Sequence, residues 1–103
     1  MPNTPYVMHK LNGGEESYRT LSYNDLGEMY LNGLQLREND EFAICKFGND
    51  WLYFENYQDD GTASGKVVEG SLVEESKHYF KALEAGSYDI RVDTNYKVHI
   101  THI

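Results

Sequence analysis

Alternation of apolar and polar residues is clearest near the end of the chain. The segments 87–93 (SYDIRVD) and 96–103 (YKVHITHI) alternate on either side of the turn-type residues 93–95, which is typical of a β-hairpin. One face of this hairpin is apolar, and we expect that face to pack into the core. The residues predicted to point inward are Tyr88, Ile90, Val92, Tyr96, Val98 and Ile100.

A second hairpin is predicted in the middle of the chain. Two apolar runs, 41–47 and 51–57, flank Gly48-Asn49-Asp50. A three-residue loop would place Phe42, Ile44, Leu52 and Phe54 on the core face. It would place Phe47, Trp51, Tyr53 and Tyr57 on the other face. A two-residue loop changes which residues share a face, and the sequence leaves both registers open.

The segment from about 23 to 31 carries the signals of a short helix. Ser22 and Asp25 have the spacing of a helix start, and Leu21 and Leu26 are placed as a hydrophobic staple. Asn32-Gly33 supplies a left-handed stop. We therefore predict a first helix here.

A second helix is predicted between Ser71 and Gly86. Ser71 with Glu74 has the form of a capping box, and Gly86 is a typical helix end. The apolar residues recur at roughly helical spacing, which predicts one buried stripe. That stripe consists of Leu72, Val73, Tyr79, Phe80 and Leu83.

These elements predict an α+β fold. Further strands are expected at 6–11 and 66–69, so the order is β-α-β-β-(β)-α-β-β. We expect a mainly antiparallel sheet of four to six strands with the two short helices packed on one face. Residues 1–5, which hold both prolines, are predicted to be a tail, and 6–103 a single domain.

The charge is concentrated around the central hairpin. The chain has a formal net charge of −8, and the segment 38–60 contains seven carboxylates and only one base, Lys46. Such acidity opposes direct binding of DNA or RNA, whose affinity comes from Lys and Arg neutralising phosphates. No apolar run is long enough for a membrane span. The single cysteine and the lack of a secretory signal predict a cytoplasmic location.

The motifs of metal, cofactor and catalytic sites fail on particular residues. The segment 61–66 resembles a phosphate loop, but Val67 occupies the position where Ser or Thr must bind magnesium. In a possible calcium-binding loop, Val67 occupies the position that requires a bidentate Glu. His99 and His102 are three apart on a strand and therefore point to opposite faces. Cys45 lies among apolar residues, which disfavours a reactive thiolate. We expect no cofactor, no metal and no enzymatic activity.

The acidic, aromatic hairpin is instead predicted to be a docking site for a basic protein surface. Carboxylates two apart on a strand repeat at about 6.6 Å, near the phosphate spacing of a nucleic-acid strand, and Trp and Tyr are common interface anchors. The three-residue register also gathers Glu38, Asp40, Glu41, Asp59 and Asp60 where the hairpin opens, as a solvated acidic edge or a weak divalent-cation site. The predicted partner-binding residues are Glu38, Asp40, Glu41, Asp50, Trp51, Tyr53, Glu55, Tyr57, Asp59 and Asp60.

The sequence thus favours a small non-catalytic inhibitor encoded by a phage or another mobile element. It would act as a DNA mimic, blocking the nucleic-acid-binding surface of a host defence nuclease in the manner of an anti-CRISPR or antirestriction protein. One alternative is an immunity or antitoxin protein that binds a basic toxin. Others are a small ligand-binding domain or enzyme that uses Cys45, His9 or His99, and a homodimer that pairs through its aromatic face.

Overall fold

The computed structural model describes residues 4–10, 16–47, 50–72 and 78–103. These residues form ten β-strands and one short 3₁₀ helix. The strands are β1 Tyr6–Lys10, β2 Glu16–Thr20, β3 Ser22–Tyr23, β4 Met29–Leu36, β5 Glu41–Phe47, β6 Asp50–Leu52, β7 Val67–Leu72, β8 His78–Ala82, β9 Gly86–Val92 and β10 Val98–His102, and the 3₁₀ helix is Phe54–Asn56.

The strands form two antiparallel sheets. In the first sheet the order is β2-β1-β5-β8-β7, and β6 also pairs with β5. In the second sheet the order is β10-β9-β4-β3. The chain alternates between the two sheets. Strands β1 and β2 belong to the first sheet, β3 and β4 to the second, β5 to β8 to the first, and β9 and β10 to the second.

In each sheet, alternate residues of the strands point to one face and form an apolar surface. These two apolar faces pack against each other as a β-sandwich. Phe42 and Phe80 stack at 5.2 Å between ring centroids, and Phe54 meets Phe80 edge-on at 5.7 Å. Each fully buried large side chain contributes about 1.5 to 3 kcal/mol. The buried core residues are Val7, Leu21, Met29, Leu31, Leu34, Leu36, Phe42, Ile44, Leu52, Ala63, Val67, Phe80, Ala82, Tyr88, Ile90, Val92, Val98 and Ile100.

The outer face of the first sheet holds a second apolar cluster. Tyr6, Met8, Ala43, Cys45 and Tyr79 are buried there, and Trp51 packs against them. The central strands β1 and β5 therefore bury side chains on both faces. This explains why residues 42–45 form an unbroken apolar run rather than an alternating one.

The predicted helix from about 23 to 31 is wrong. Ser22–Tyr23 and Met29–Leu36 are strands β3 and β4, joined by a tight turn. The Asn24 side-chain oxygen accepts hydrogen bonds from the backbone N–H groups of Leu26 and Glu28, both at 2.9 Å. Gly27 takes a φ of +80°. Asn, Asp, Ser and Gly serve hairpin turns as well as helix caps, so the same residues produced a false helix signal.

The predicted helix between 71 and 86 is also wrong. Ser71 and Leu72 belong to β7, and His78–Ala82 is β8, while Val73 and Glu74 lie outside the described residues. Phe80 faces the core, whereas Tyr79 is buried in the outer cluster. Because a strand buried on both faces has adjacent apolar residues, it imitates part of a helical stripe. The described chain is nearly all β, and the α+β class is corrected accordingly.

The C-terminal hairpin is confirmed in position. Val98 lies opposite Val92 and Ile100 opposite Ile90, and all four are buried. Tyr96 is the exception, because it occupies the turn with a φ of +60° and is 42% exposed. Its predicted inward position is wrong.

The central hairpin is confirmed as β5 and β6, but not in the three-residue register. Ile44 lies opposite Leu52 and Cys45 opposite Trp51, so the predicted pairing of Phe47 with Trp51 is wrong. The predicted core face is nevertheless correct. Phe42, Ile44 and Leu52 are buried in the core, and Phe54 packs against it.

Candidate ligand-binding groove

The outer face of the second sheet is polar and concave. Its three long strands direct alternate residues inward to the core, so the residues between them point outward. These outward side chains form the floor of an open groove of about 480 Å³. The groove is lined by Asn24, Tyr30, Asn32, Asp60, Asp89, Ile90, Arg91, His99 and Thr101.

Strand pairing arranges these side chains in two rows across the sheet. In one row, Arg91 of β9 lies opposite both His99 of β10 and Tyr30 of β4. In the other row, Thr101 of β10 lies opposite Asp89 of β9. Adjacent strands are about 4.8 Å apart, so neighbours in a row can contact the same small ligand.

A β-bulge in β4 positions Asp89. Leu31 pairs with Ile90 and Leu34 with Tyr88, so two residues, Asn32 and Gly33, lie opposite the single residue Asp89. Gly33 has a φ of +75°, and its backbone N–H donates to Asp89 Oδ1 at 2.8 Å. The bulge therefore fixes one oxygen of the Asp89 carboxylate and adds Asn32 to the groove.

Asp60 reaches the groove from the segment that follows the central hairpin. This segment runs beside β10, because the Gln58 N–H donates to the Val98 carbonyl at 2.9 Å and the Thr62 hydroxyl to the Ile100 carbonyl at 2.8 Å. Asp60 Oδ1 accepts the Thr62 N–H at 3.1 Å and lies 2.8 Å from the Thr62 hydroxyl, whose single hydrogen is shared between Asp60 and the Ile100 carbonyl. These bonds lower the pKa of Asp60, so the carboxylate is ionised at neutral pH.

Arg91 is held by a partner at the edge of the groove. Its guanidinium donates to Glu28 Oε2 at 2.7 Å, and the Asn24 amide donates to Glu28 Oε1 at 3.0 Å. The bond from Asn24, supported by Arg91, lowers the pKa of Glu28. The positive charge of Arg91 is thus balanced within the protein.

His99 is also anchored by a carboxylate. Its Nε2 lies 2.9 Å from Asp93 Oδ2, and Asp93 Oδ1 accepts the backbone N–H groups of Asn95 and Lys97. Burial raises the pKa of Asp93, but the hydrogen bonds from His99 and the two N–H groups outweigh it and lower the pKa overall. The other ring nitrogen, Nδ1, is buried without a hydrogen-bond partner among the described residues.

Two carboxylates of the groove have no ion-pair partner among the described residues, although His99 attracts Asp60 electrostatically. No lysine or arginine of the described chain forms an ion pair with Asp60 or Asp89. Each has one oxygen fixed by a backbone N–H and a second oxygen that accepts no hydrogen bond from the described residues. The groove therefore has acceptors and negative charge available for a ligand.

A smaller concavity of about 240 Å³ lies at one end of the sandwich and includes Lys46, Asp93 and Tyr96. Lys46 Nζ lies 2.9 Å from Asp50 and 4.1 Å from the centroid of the Tyr96 ring. The lysine of this concavity is thus already engaged by Asp50 and Tyr96, and its lining carboxylate, Asp93, by His99. The larger groove is the better candidate site.

The structure disperses the ten residues of the predicted docking site. Asp60 lines the groove and Asp59 is exposed beside it, whereas Asp50 is paired with Lys46. Trp51 is half-buried on the outer face of the first sheet, 5.8 Å from the Tyr6 ring. Glu38 and Glu55 are exposed, and Glu41 and Tyr53 are half-buried.

Asp40 is an interior group, and Tyr57 is half-buried against the core. Asp40 is fully buried, accepts the Arg37 N–H at 2.7 Å, and lies 3.1 Å from His9 Nε2. The Tyr57 ring packs on the core, and its hydroxyl is buried without a hydrogen-bond partner in the described chain. Burial, together with the charges of Asp59 and Asp60, raises the pKa of Tyr57 to about 12.

The predicted convergence of five carboxylates at the open end of the hairpin is wrong. β6 ends at Leu52, and the chain then crosses to the edge of the second sheet instead of following β5. Glu41 consequently lies opposite Lys81 of β8, while Asp60 lies beside β10. Among residues 4–10, 16–47, 50–72 and 78–103, no group of three His, Cys, Asp or Glu side chains could hold a metal ion.

Most of the groove was absent from the sequence prediction. The outward residues of the C-terminal hairpin, Asp89, Arg91, His99 and Thr101, follow directly from its alternation. Asn32 and Tyr30 could not be placed beside them without knowing that β4 pairs with β9. The sequence signal for the groove was that the outward residues of the C-terminal hairpin are polar and include both positive and negative charges.

Of the three residues named for an alternative ligand-binding or catalytic role, His99 lines the groove, and the other two lie elsewhere. Cys45 is fully buried in the outer cluster of the first sheet, and His9 is buried against Asp40. Within the described part of the chain, no helix is long and apolar enough to cross a membrane. Comparison with known proteins finds no matching family model, no similar curated protein and no similar solved structure.

Proposed function

We propose that this protein is a non-catalytic binding protein that holds a basic partner protein against the groove of its second sheet. One observation carries the proposal: Asp60 and Asp89 line a concave polar groove, and no lysine or arginine of the described residues pairs with either. A partner lysine or arginine would supply the missing charge. Charge-assisted hydrogen bonds of this kind are roughly twice as strong as neutral ones.

The charge of the whole chain supports the same partner. A net charge of −8 attracts basic surfaces over several ångströms and speeds encounter with them, an effect that added salt screens. The proposal keeps the basic partner expected from the sequence but moves its docking site. The groove replaces the central hairpin as the contact surface, with Asp60 common to both.

The class of partner that we propose is a cytoplasmic nuclease of host defence, such as a CRISPR effector or a restriction enzyme, or else a basic toxin. Surfaces that bind nucleic acid are rich in Lys and Arg because they neutralise phosphates. An acidic inhibitor encoded by a phage or mobile element would occupy such a surface and exclude DNA or RNA. The support for this class is charge complementarity and size.

The groove is tested by titrating the ¹⁵N-labelled full chain with a basic hexapeptide of alternating Arg and Lys, followed by two-dimensional NMR. We expect amide shifts around 30–32, 60, 89–91 and 99–101. Asp60→Asn should weaken binding about fivefold, or about 1 kcal/mol, because it removes one groove charge. Glu38→Gln, which removes an exposed charge outside the groove, should leave the affinity within about twofold.

A hexaglutamate peptide serves as the control ligand and should not bind. Shifts spread over all acidic surfaces, or equal losses in the two variants, would show that attraction is merely nonspecific. Tight binding that survives both substitutions and concentrates near Trp51 would return the site to the central hairpin.

A further inference from the structure

We infer that two copies of this chain pair through the open edge of β2, with β2 of one copy antiparallel to β2 of the other and Tyr18 at the two-fold axis. This inference goes beyond the proposed function and does not depend on it. It rests on how the sheet edges are protected, on the direction of the backbone groups of β2, and on the side chains that β2 carries.

The edge of β2 differs from the other sheet edges of the described chain. The segment 58–62 covers β10, where the Gln58 N–H donates to the Val98 carbonyl. β7 is interrupted by a bulge between Glu69 and Leu72, and β3 and β6 have only two and three residues. Covering segments, bulges and short strands are common protections of an edge. Among the described edge strands, only β2 is regular over five residues, and it contains neither proline nor lysine.

The backbone of β2 offers a regular row of hydrogen-bonding groups. The Leu21 N–H donates to the Pro5 carbonyl at 2.8 Å, so the backbone of Leu21 faces β1. Because this direction alternates along an antiparallel strand, the backbone groups of residues 17 and 19 also face β1. The N–H and C=O groups of the intervening residues point to the open edge, and these residues are Glu16, Tyr18 and Thr20. All of β2 is exposed.

This row is complementary to itself under a two-fold axis. With Tyr18 opposite Tyr18 of the second copy, the two residues exchange both backbone hydrogen bonds, and Glu16 does the same with Thr20 of the second copy. Every outward N–H and C=O of both strands is then used. Arg19 lies opposite Ser17 of the second copy, so no like charges face each other directly, which would be destabilising.

A row of aromatic rings leads to the same edge. Tyr18 shares the outer face of the first sheet with Met8, its partner on β1. Its ring meets Tyr6 edge-on at 5.4 Å, and Tyr6 meets Trp51 edge-on at 5.8 Å. Tyr18 is 41% exposed at the open end of this row. The Tyr18 ring of a second copy would continue the row, because opposite Cβ atoms are about 5 Å apart.

The charge of β2 favours a second copy over a basic partner. The strand carries one acid, Glu16, and one base, Arg19, and the Glu16 carboxylate already accepts the Tyr18 hydroxyl at 3.2 Å. A basic segment therefore gains nothing by pairing here. Two chains of net charge −8 repel each other in general, and a locally neutral strand is where they can approach at least cost.

The test is sedimentation velocity of the full chain from micromolar to submillimolar concentration, and we expect a monomer–dimer equilibrium. Tyr18→Lys and Tyr18→Glu should each weaken dimerisation about tenfold, because each removes the Tyr18 pair and places like charges at the axis. An equimolar mixture of the two variants should associate within about threefold of the unsubstituted chain, since opposite charges then face each other. The matched control is Tyr23→Lys, at an exposed tyrosine of β3, which should change dimerisation by less than about twofold.

Thr20→Pro tests the backbone pairing separately from the side chains. The Thr20 N–H points to the open edge, so proline removes a donor from the contact between copies and none from the β1–β2 pairing. Dimerisation should weaken about tenfold or more, because symmetry removes two hydrogen bonds. Circular dichroism of each variant should match that of the unsubstituted chain.

Four results would overturn the inference. The first is a chain that stays monomeric at submillimolar concentration, and the second is a dimer that Tyr18→Lys and Thr20→Pro leave intact, which would place the contact on another surface. The third is failure of the folded Lys and Glu variants to associate when mixed. The fourth is binding of the basic hexapeptide along 16–20, which would assign the edge to a strand of a partner protein. The first three leave the groove and its proposed partner unaffected.

Discussion

At the scale of single residues, the side-chain oxygens of Asp and Asn stabilise the hairpin turns of this protein. Asp93 accepts two backbone N–H groups of the β9–β10 turn and also lies against His99. Asn24 has the same role in the β3–β4 turn, where it accepts two N–H groups. Each residue therefore connects the closure of a hairpin with the shape of the groove.

The lowered pKa of Asp93 predicts a specific pH dependence of stability. A carboxyl group with a depressed pKa in the folded state adds stability above its unfolded pKa, and this contribution is lost as pH falls through the folded value. We expect Asp93→Asn to cost about 1 to 2 kcal/mol at pH 7. The difference from the unsubstituted protein should shrink in acid, as measured by urea unfolding at several pH values.

The matched control is Asp25→Asn, because Asp25 is exposed in the adjacent turn region. That variant should show the acid dependence of the unsubstituted protein. A difference between Asp93→Asn and the unsubstituted protein that stays constant from neutral to acid pH would contradict the argument.

At the scale of secondary-structure elements, the bulge in β4 is the feature that joins fold to site. Without the extra residue, the apolar residues of β4 on one side of the bulge would point away from the core. With it, Met29 and Leu31 before the bulge and Leu34 and Leu36 after it all remain buried. The same irregularity turns a backbone N–H toward Asp89.

Substitutions at Gly33 should separate backbone strain from packing. A Cβ atom at this position would meet no atom within 4 Å, but the φ of +75° disfavours L-residues. We expect Gly33→Ala to cost about 1 to 2 kcal/mol, and Gly33→Asn less, because Asn tolerates the left-handed region. Thermal unfolding would measure both. Equal stabilities of the alanine and asparagine variants would contradict the strain argument.

The elements that the sequence predicted correctly share a simple property. In the C-terminal hairpin one face is buried and the other is polar, so period-two alternation is visible in the sequence. β8 buries residues on both faces, and β3 is only two residues long, so neither shows that alternation. Cap-type residues at Ser22 and Ser71 then favoured helices that tertiary packing excludes.

At the scale of the whole molecule, the two outer faces differ in character. The first sheet is covered by aromatic and sulfur-containing side chains, including Tyr6, Cys45 and Trp51. The second sheet exposes amides, carboxylates and hydroxyls around the groove. A binding site formed from three strands and a crossing loop depends on strand order, and the sequence could not assign that order. Of the groove residues, only Asp60 was therefore predicted as part of the docking site, and His99 was named only for the alternative ligand-binding or catalytic role.

The common core predicts that both sheets unfold together. One core cluster contains buried residues of both sheets, and within it Phe80 contacts the rings of Phe42, Phe54 and Tyr57. We expect Phe80→Ala to cost about 3 to 5 kcal/mol. Fluorescence of the single tryptophan, Trp51, reports on the first sheet, whereas far-ultraviolet circular dichroism reports on both.

The two signals should give coincident transitions in urea for the unsubstituted protein, as expected of a two-state domain. The dichroism spectrum should also lack the double minimum of α-helices. Two separated transitions would show that the sheets are independent, and a helical spectrum would contradict the strand assignments at 23–36 and 78–82.

The alternation of the chain between sheets has a consequence for biosynthesis. β4 needs β9 as its neighbour, although more than fifty residues lie between Leu31 and Ile90. During translation β4 has no partner at this edge until β9 leaves the ribosome, and such long-range pairing is slow. A ribosome stalled before β9 would hold a nascent chain that is open to chaperones and proteases and has no groove to offer a partner.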